Sequence, residues 1–561
     1  MKRLLSLATV ALVTCLGLAA CTAPPTSSES GNTGSTSELT WKATGNTPLS
    51  DARVRKALKL ALDMPTIIET IFEGKATEAS SMTIAGEWLA DGLNSYAYDP
   101  EQAKTLLAEA QWPADYTIDL VTYYSDQQTT DFLTVVGQYW QAVGVKSQFR
   151  LLTGDLNSQL WVPPTDRVNG PSVVKWDIAY AAKAALVEGE NYSLYSSTAA
   201  NNSFLPKVDQ LDSLIAQAST AVDKAGQIAV FKQIQKVVND DMYDIPLYHQ
   251  LAFAITSDKI DTKGHKLGND QFYFDSGILD WTTTRPDGTL YTNGGPEEFF
   301  QVPTVNPGLF IYDDLVFDRL IDADADLNPT DGRMVESFQY SQDNLTLSLK
   351  LREGLKWQDD KPVTPADVQF TLELYAKVPA MNSIASGVIA SLKGAQDFID
   401  GKADHISGIV VNGQNIDLVF DQVNANTLPV LSQWPILPQH LLSKASPETL
   451  QQDPFWQKPI GSGPYKVDQV VIGNYATLAR WDGYFQKGAG NVKTIYMTAS
   501  TENDANVVKN AGGDRVDYVF DKNVADAIAV AEIPGMTVTP INFRYTRVFY
   551  VNQFPHEANI K

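Results

Sequence analysis

Apolar and polar positions alternate along this chain in two distinct rhythms. Between Asp51 and Phe72 the apolar residues Val54, Leu58, Ala61, Leu62, Ile67, Ile68 and Ile71 recur at helical spacing, with Asp51 placed to cap and Gly74 to close. Asp99-Pro100 opens a second helix through Ala110, with the acid as cap and proline in the first turn. Residues 116–124 alternate as a strand, 130–143 form an amphipathic helix, and 146–152 form a further strand. Helices over 208–219 and 226–240 and a strand over 245–255 follow. This alternation of helix and strand predicts an α/β lobe. After a stretch punctuated by Gly, Asp, Pro and Thr, over 267–294, a second lobe begins. It shows strands near 345–351, 409–420, 474–480 and 494–498, and helices near 364–377 and 388–401. No repeat of roughly 20–50 residues is visible.

Before this patterned part, residues 22–47 are rich in Ser, Thr, Gly and Pro. Such a composition cannot bury a core and reads as a flexible tether, in which 39–41 could pair as a short strand. The chain opens with Lys2-Arg3, an apolar run from Leu4 to Leu18, and Ala19-Ala20-Cys21. That layout fits a secretory leader rather than a spanning helix. Leu18-Ala19-Ala20-Cys21 resembles the lipobox of bacterial lipoproteins, which implies lipidation of Cys21 and a mature chain anchored outside the cytoplasmic membrane; an ordinary secretory cut nearby is the alternative. Cys15 and Cys21 are the two cysteines, so the mature chain has no thiol for a disulfide or a CxxC metal site. Its length is enough for a large core and for more than one lobe. The formal charge of −23 argues against nucleic acid and anionic lipid as partners, and weakly favours cationic or zwitterionic ligands.

Several segments resemble the large extracytoplasmic solute-binding proteins of the peptide/nickel transporter class. Leu351-Arg352-Glu353-Gly354 with Lys361-Pro362-Val363-Thr364-Pro365-Ala366-Asp367-Val368, and Gly461-Ser462-Gly463-Pro464-Tyr465 with Arg480-Trp481-Asp482-Gly483-Tyr484, look like that family's early markers. Asp51-Ala52-Arg53-Val54-Arg55-Lys56-Ala57-Leu58, Tyr98-Asp99-Pro100 and Ile245-Pro246-Leu247-Tyr248 look like its late ones. Here the late markers come first. The resemblance therefore implies an α/β, two-lobed fold of periplasmic-binding type, with mixed sheets, flanking helices and the lobes in swapped chain order, as in a circular permutation. The expected divisions are a leader at 1–20, a tether at 21–47, one lobe at 48–255, a linker at 256–289 joining the original termini, and a second lobe at 290–561. One covalent crossover is expected near His249 to Ile255, with Arg547 to Asn552 returning to pair at the hinge without covalent continuity.

The resemblance implies a ligand held between the lobes, a peptide above all, handed to an ABC permease and ATPase by a monomer without a cofactor. Glu188 and Glu190, in a stretch resembling the family's acidic loop, are candidates for the ligand ammonium, with Tyr180 nearby. Phe299, Phe300, Trp434, Tyr465 and Tyr545 are aromatic candidates for the cleft wall, although aromatics more often fill cores. Asn552 is placed at the hinge, and Asp177 beside Trp176 at the end of a strand. The glycines at Gly461 and Gly463 read as a structural turn. His249, His265, His405, His440 and His556 form no paired zinc spacing, and no GxSxG elbow or Walker loop occurs. Other solutes (a nickel chelate or an oligosaccharide) stay open as ligands, and a secreted hydrolase with a carboxylate pair stays open as an alternative.

Overall fold

A computed structural model describes residues 47–265, 276–296, 299–304, 307, 311–379, 381–499 and 506–557. The leader, Cys21, the tether and the short strand at 39–41 lie outside the described residues.

The first lobe is laid down by β1 (Ala76–Glu78), β2 (Thr117–Thr122), β3 (Lys146–Leu151), β4 (Ile178–Ala184) and β5 (Asp244–Ser257). In the second lobe come β6 (Thr289–Gly295), β7 (Val335–Tyr340), β8 (Thr346–Leu351), β9 (Ile409–Asn412), β10 (Asn415–Val419), β11 (Tyr465–Val471), β12 (Tyr475–Arg480), β13 (Thr494–Ala499), β14 (Tyr518–Asp521) and β15 (Met536–Val551). The largest sheet runs β1-β5-β15-β4-β2-β3, and β14 pairs with the far half of β5. Two four-stranded sheets of the second lobe run β7-β8-β10-β9 and β11-β12-β13-β6. Strands β2, β3 and β4 are parallel, whereas β15 is antiparallel to both β4 and β5, so the large sheet is mixed.

Local chemistry sets the elements as the pattern predicts, with three refinements. The run from Asp51 is two helices, Ala52–Leu60 and Met64–Ile71, because Asp63 caps a second start and Pro65 sits in its first turn. The run over 388–401 divides at Gly394, whose φ of +73° only glycine adopts at ease, into Ser383–Ala390 and Ala395–Ile399. The apolar run over 409–420 is the hairpin β9–β10, turned at Gly413. The segment 256–289 is more than a linker. Ile260–Asp261 pairs with Thr282–Thr283, and Ile278 and Trp281 are fully buried in the second lobe's core.

The lobes are joined along β5 and β15, which pair from Asp244↔Tyr550 to Ser257↔Met536. One end of this ribbon lies in the first lobe's sheet, and the other carries β14. The register breaks between Asn542 and Thr546, where the ribbon crosses. β15 therefore carries the chain back into the first lobe as one continuous strand, Met536–Val551, and not as a returning strand without covalent continuity. Two cores flank the first lobe's sheet: Phe132, Trp140, Tyr180 and Phe549 on one face, and Tyr192, Tyr195, Phe231, Val548 and Tyr550 on the other.

Candidate functional site

β4 ends at Ala184, and the chain turns through Leu186 into the short helix Glu188–Tyr192. This turn faces the second lobe. The Leu186 carbonyl accepts from Gln433 Nε2 at 3.2 Å and from Arg544 Nη1 at 3.2 Å. Ala425 N–H donates to the Ser219 carbonyl at 2.9 Å, and Gln227 Nε2 to the Ala425 carbonyl at 3.3 Å. The lobes thus touch around a groove.

Two cavities lie in that groove. One of about 210 Å³ is walled by Trp88, Glu188 and Phe231 of the first lobe and Leu327, Tyr340 and Pro429 of the second. The other, of about 180 Å³, runs under the loop from Thr83 to Trp88 and reaches Asp326. Glu188 and Arg544 line both. Glu188 is only 7 % exposed and accepts a hydrogen bond from the Thr83 hydroxyl. That hydroxyl and Ser81 each lie 2.8 Å from the Tyr192 hydroxyl. Burial pushes the Glu188 carboxyl above its ordinary pKa, and Arg544, Thr83 and Asn191 partly offset that push. Arg544 also donates to the Asp326 carbonyl, tying the crossing strand to the second lobe. Lys224 lines the rim of the larger cavity and pairs with Glu87 at 2.5 Å.

The remaining sequence-predicted residues fall elsewhere. Glu190 is buried beside Glu188 but turns away: it accepts from Leu186 N–H at 2.5 Å and from Asn382 Nδ2 at 3.3 Å, bridging the lobes. Tyr180 is buried in the first lobe, hydroxyl to hydroxyl with Tyr248 at 2.7 Å. Phe300, Trp434 and Tyr465 are in the second lobe's core and Phe299 packs against it. Trp434 Nε1 donates to the Thr304 carbonyl at 3.3 Å and the Tyr465 hydroxyl to that of Val492 at 2.9 Å. Phe300, Trp434 and Tyr465 are core residues, since large rings contribute most when fully buried, and Phe299 covers the edge of that core. Tyr545 is half-buried at the crossing, 3.2 Å from the Tyr124 hydroxyl. Asn552 is fully buried beyond the end of β15, bonded to Ser172 and the Trp176 carbonyl, away from the register break that marks the crossing. Asp177 precedes β4 rather than ending a strand. A Cβ on Gly461 would fall 1.9 Å from the Val316 carbonyl oxygen, so that turn packs backbone against backbone. Arg544, Trp88, Thr83 and Phe231 were not read from sequence. They sit on separate elements that only the fold brings to Glu188.

A separate depression of about 440 Å³ lies within the second lobe, lined by Lys361, Thr364 and His440, whose Nε2 is 2.9 Å from Asp359. Among the described residues no three His, Cys, Asp or Glu side chains group as metal ligands.

The chain is 29 % identical over 202 residues to a probable peptide-binding protein, YejA, of Agrobacterium fabrum, covering 34 % of this chain and 30 % of that one. It is 27 % identical over 240 residues to heme-binding protein A of Haemophilus influenzae, covering 41 % and 42 %. The chain spans less than half the length of these curated relatives. The oligopeptide-binding protein AppA of Bacillus subtilis, solved with a nonapeptide, superposes at a TM-score of 0.36 with 21 % identity, covering 44 % and 46 %. The family described as bacterial extracellular solute-binding proteins, family 5 Middle, matches residues 22–202 and 331–555, well over half of the sequence. On that match the chain belongs to the family 5 bacterial extracellular solute-binding proteins.

Proposed function

We propose that this protein captures a short peptide in the groove between its lobes and delivers it to an ABC permease and its ATPase. The single observation that carries the reading is Glu188, a buried carboxylate opening into both interlobe cavities. A ligand ammonium would satisfy it, as buried charge requires. Pockets that enclose drug-sized ligands run to about 300–1,000 Å³. The two cavities together only reach the low end of that range, which favours ligands of two or three residues. Contacts from both lobes would bias an open–closed equilibrium toward the closed form. The family consists of binding proteins, which sets aside the hydrolase alternative. Export by the leader and anchoring through a lipidated Cys21 complete the reading, with the protein acting as a monomer and no cofactor.

The test is native mass spectrometry of the full chain mixed with a pool of peptides of graded length. Retention of di- and tripeptides is the expected outcome. A folded protein that retains none would sink the peptide reading and turn attention to chelates or sugars.

The swapped order belongs to the same proposal. It is supported by the meeting of the first and last described segments: Tyr116, which reaches Thr47 at 3.5 Å, and His556 both bond to Asp177 Oδ1. A gene rearranged to open within 266–275, so that residue 557 runs directly into 47 while Ile260–Asp261, Ile278 and Trp281 are all kept, should yield a protein that melts cooperatively and holds the same peptides. Failure to fold, while the parent order folds, would refute the permutation.

A further inference from the structure

On the opposite face of β15 from the core that holds Val548 and Tyr550 lies a buried guanidinium with no carboxylate partner among the described residues. Tyr545, Arg547 and Phe549 alternate onto this face, as strand geometry requires. The Arg547 guanidinium lies 3.9 Å from the Tyr124 ring centroid, 5.3 Å from that of Tyr545 and 5.7 Å from that of Tyr180. Its one hydrogen bond runs from Nη2 to Gln250 Oε1 at 3.2 Å. Nε and Nη1 are buried and have no partner. Asp126, whose charge is felt by Tyr180 and Tyr248, is committed to capping the helix Gln127–Ala142 through Thr129.

Two unused donors on a buried cation are costly unless something completes them. The planar fork of an arginine matches the two oxygens of a carboxylate. The surroundings also suit an incoming anion. Tyr123, Tyr124, Tyr545 and Arg547 are all partly exposed, so the cluster opens toward solvent. A second cation, Lys522, stands 6.0 Å from the Tyr545 ring on the side of the second lobe. The Tyr124 and Tyr545 hydroxyls meet at 3.2 Å, and Tyr545 lies beside the register break at which the ribbon crosses between lobes. Bending there on lobe opening would part the two rings.

We propose that Arg547 is a carboxylate-binding residue, exposed when the Tyr124–Tyr545 pair parts and completed by a ligand carboxylate as the lobes close. It depends on the peptide reading only for the choice of probe. The experiment compares a tripeptide bearing a free carboxylate with its C-terminal amide, by native mass spectrometry on the full chain. The wild type should prefer the free acid by about tenfold, the order expected of a charge-assisted pair. Arg547→Gln should lose that preference, and Arg547→Lys, which keeps charge without the fork, should retain part of it. A wild type indifferent to amidation, or an Arg547→Gln variant with the preference intact, overturns the proposal.

If neither peptide form binds, the peptide reading fails, and acetate decides the arginine's role alone. Acetate titrated into protein carrying isotope-labelled arginine should shift the Nε–H resonance that Arg547→Lys abolishes. A resonance that stays put overturns the assignment, leaving Arg547 as a packing cation held by tyrosine faces.

Discussion

Glu188→Gln should weaken binding of short peptides with a free amino group by roughly 2–4 kcal/mol, about thirtyfold to a thousandfold. The substitution keeps the shape and a hydrogen-bond acceptor for Thr83 but removes the charge that opens into both cavities. An amino-acetylated peptide should bind the two proteins with far less difference, because it brings no ammonium to lose. The pH dependence follows from the raised carboxyl. In the free protein, acid conditions protonate Glu188, and an ammonium must then displace that proton to bind. Affinity should therefore rise with pH through the elevated pKa of Glu188 and level off above it; in Glu188→Gln the slope should vanish. Calorimetric titration across pH checks both statements. An unchanged ratio of free to acetylated peptide affinity in the variant would remove Glu188 from the site.

The two-lobed α/β architecture was legible because it rests on local periodicity and on caps such as Asp51 and Asp99, which act within a few residues. Refinements fell where single residues override a period, as at Pro65, Gly394 and Gly413. Glu188 was a candidate only through the resemblance of its stretch to the family's acidic loop, and the fold sets it against both cavities. Its neighbour Glu190 reads identically in sequence, yet its carboxylate closes the turn at Leu186 instead of facing the cavity. Two residues of helical rotation separate the two roles, and only three dimensions resolve it. Arg544 could not be found at all from the sequence around Glu188. Its place is set by the register of β15 against β4, where Tyr545 pairs with Ala184. The aromatic candidates failed for an energetic reason. Phe300, Trp434 and Tyr465 gain most from complete burial, and the second lobe had room to bury them.

Asp177→Ala should cost roughly 3–5 kcal/mol of stability, since each hydrogen bond to a charged group contributes about 1.5–3 kcal/mol. The side chain is fully buried and serves three partners at once. Oδ2 accepts from Asp119 N–H at 2.8 Å, and Oδ1 meets the Tyr116 hydroxyl at 2.8 Å and His556 Nε2 at 2.6 Å. Its own carbonyl accepts from Asn552 N–H at 2.9 Å, which the substitution leaves in place. What disappears is the side-chain node that fixes the start of β4 to β2 and to the segment after β15. His556→Ala removes one spoke only and should cost about 1.5–3 kcal/mol. Denaturant unfolding of the two variants distinguishes a node from a set of independent contacts. A loss in Asp177→Ala no greater than in His556→Ala would show that the hub contributes nothing beyond one bond. A large difference would locate much of the first lobe's stability where segments distant in sequence meet, since Tyr116 and His556 reach the same carboxylate oxygen from segments far apart in the chain.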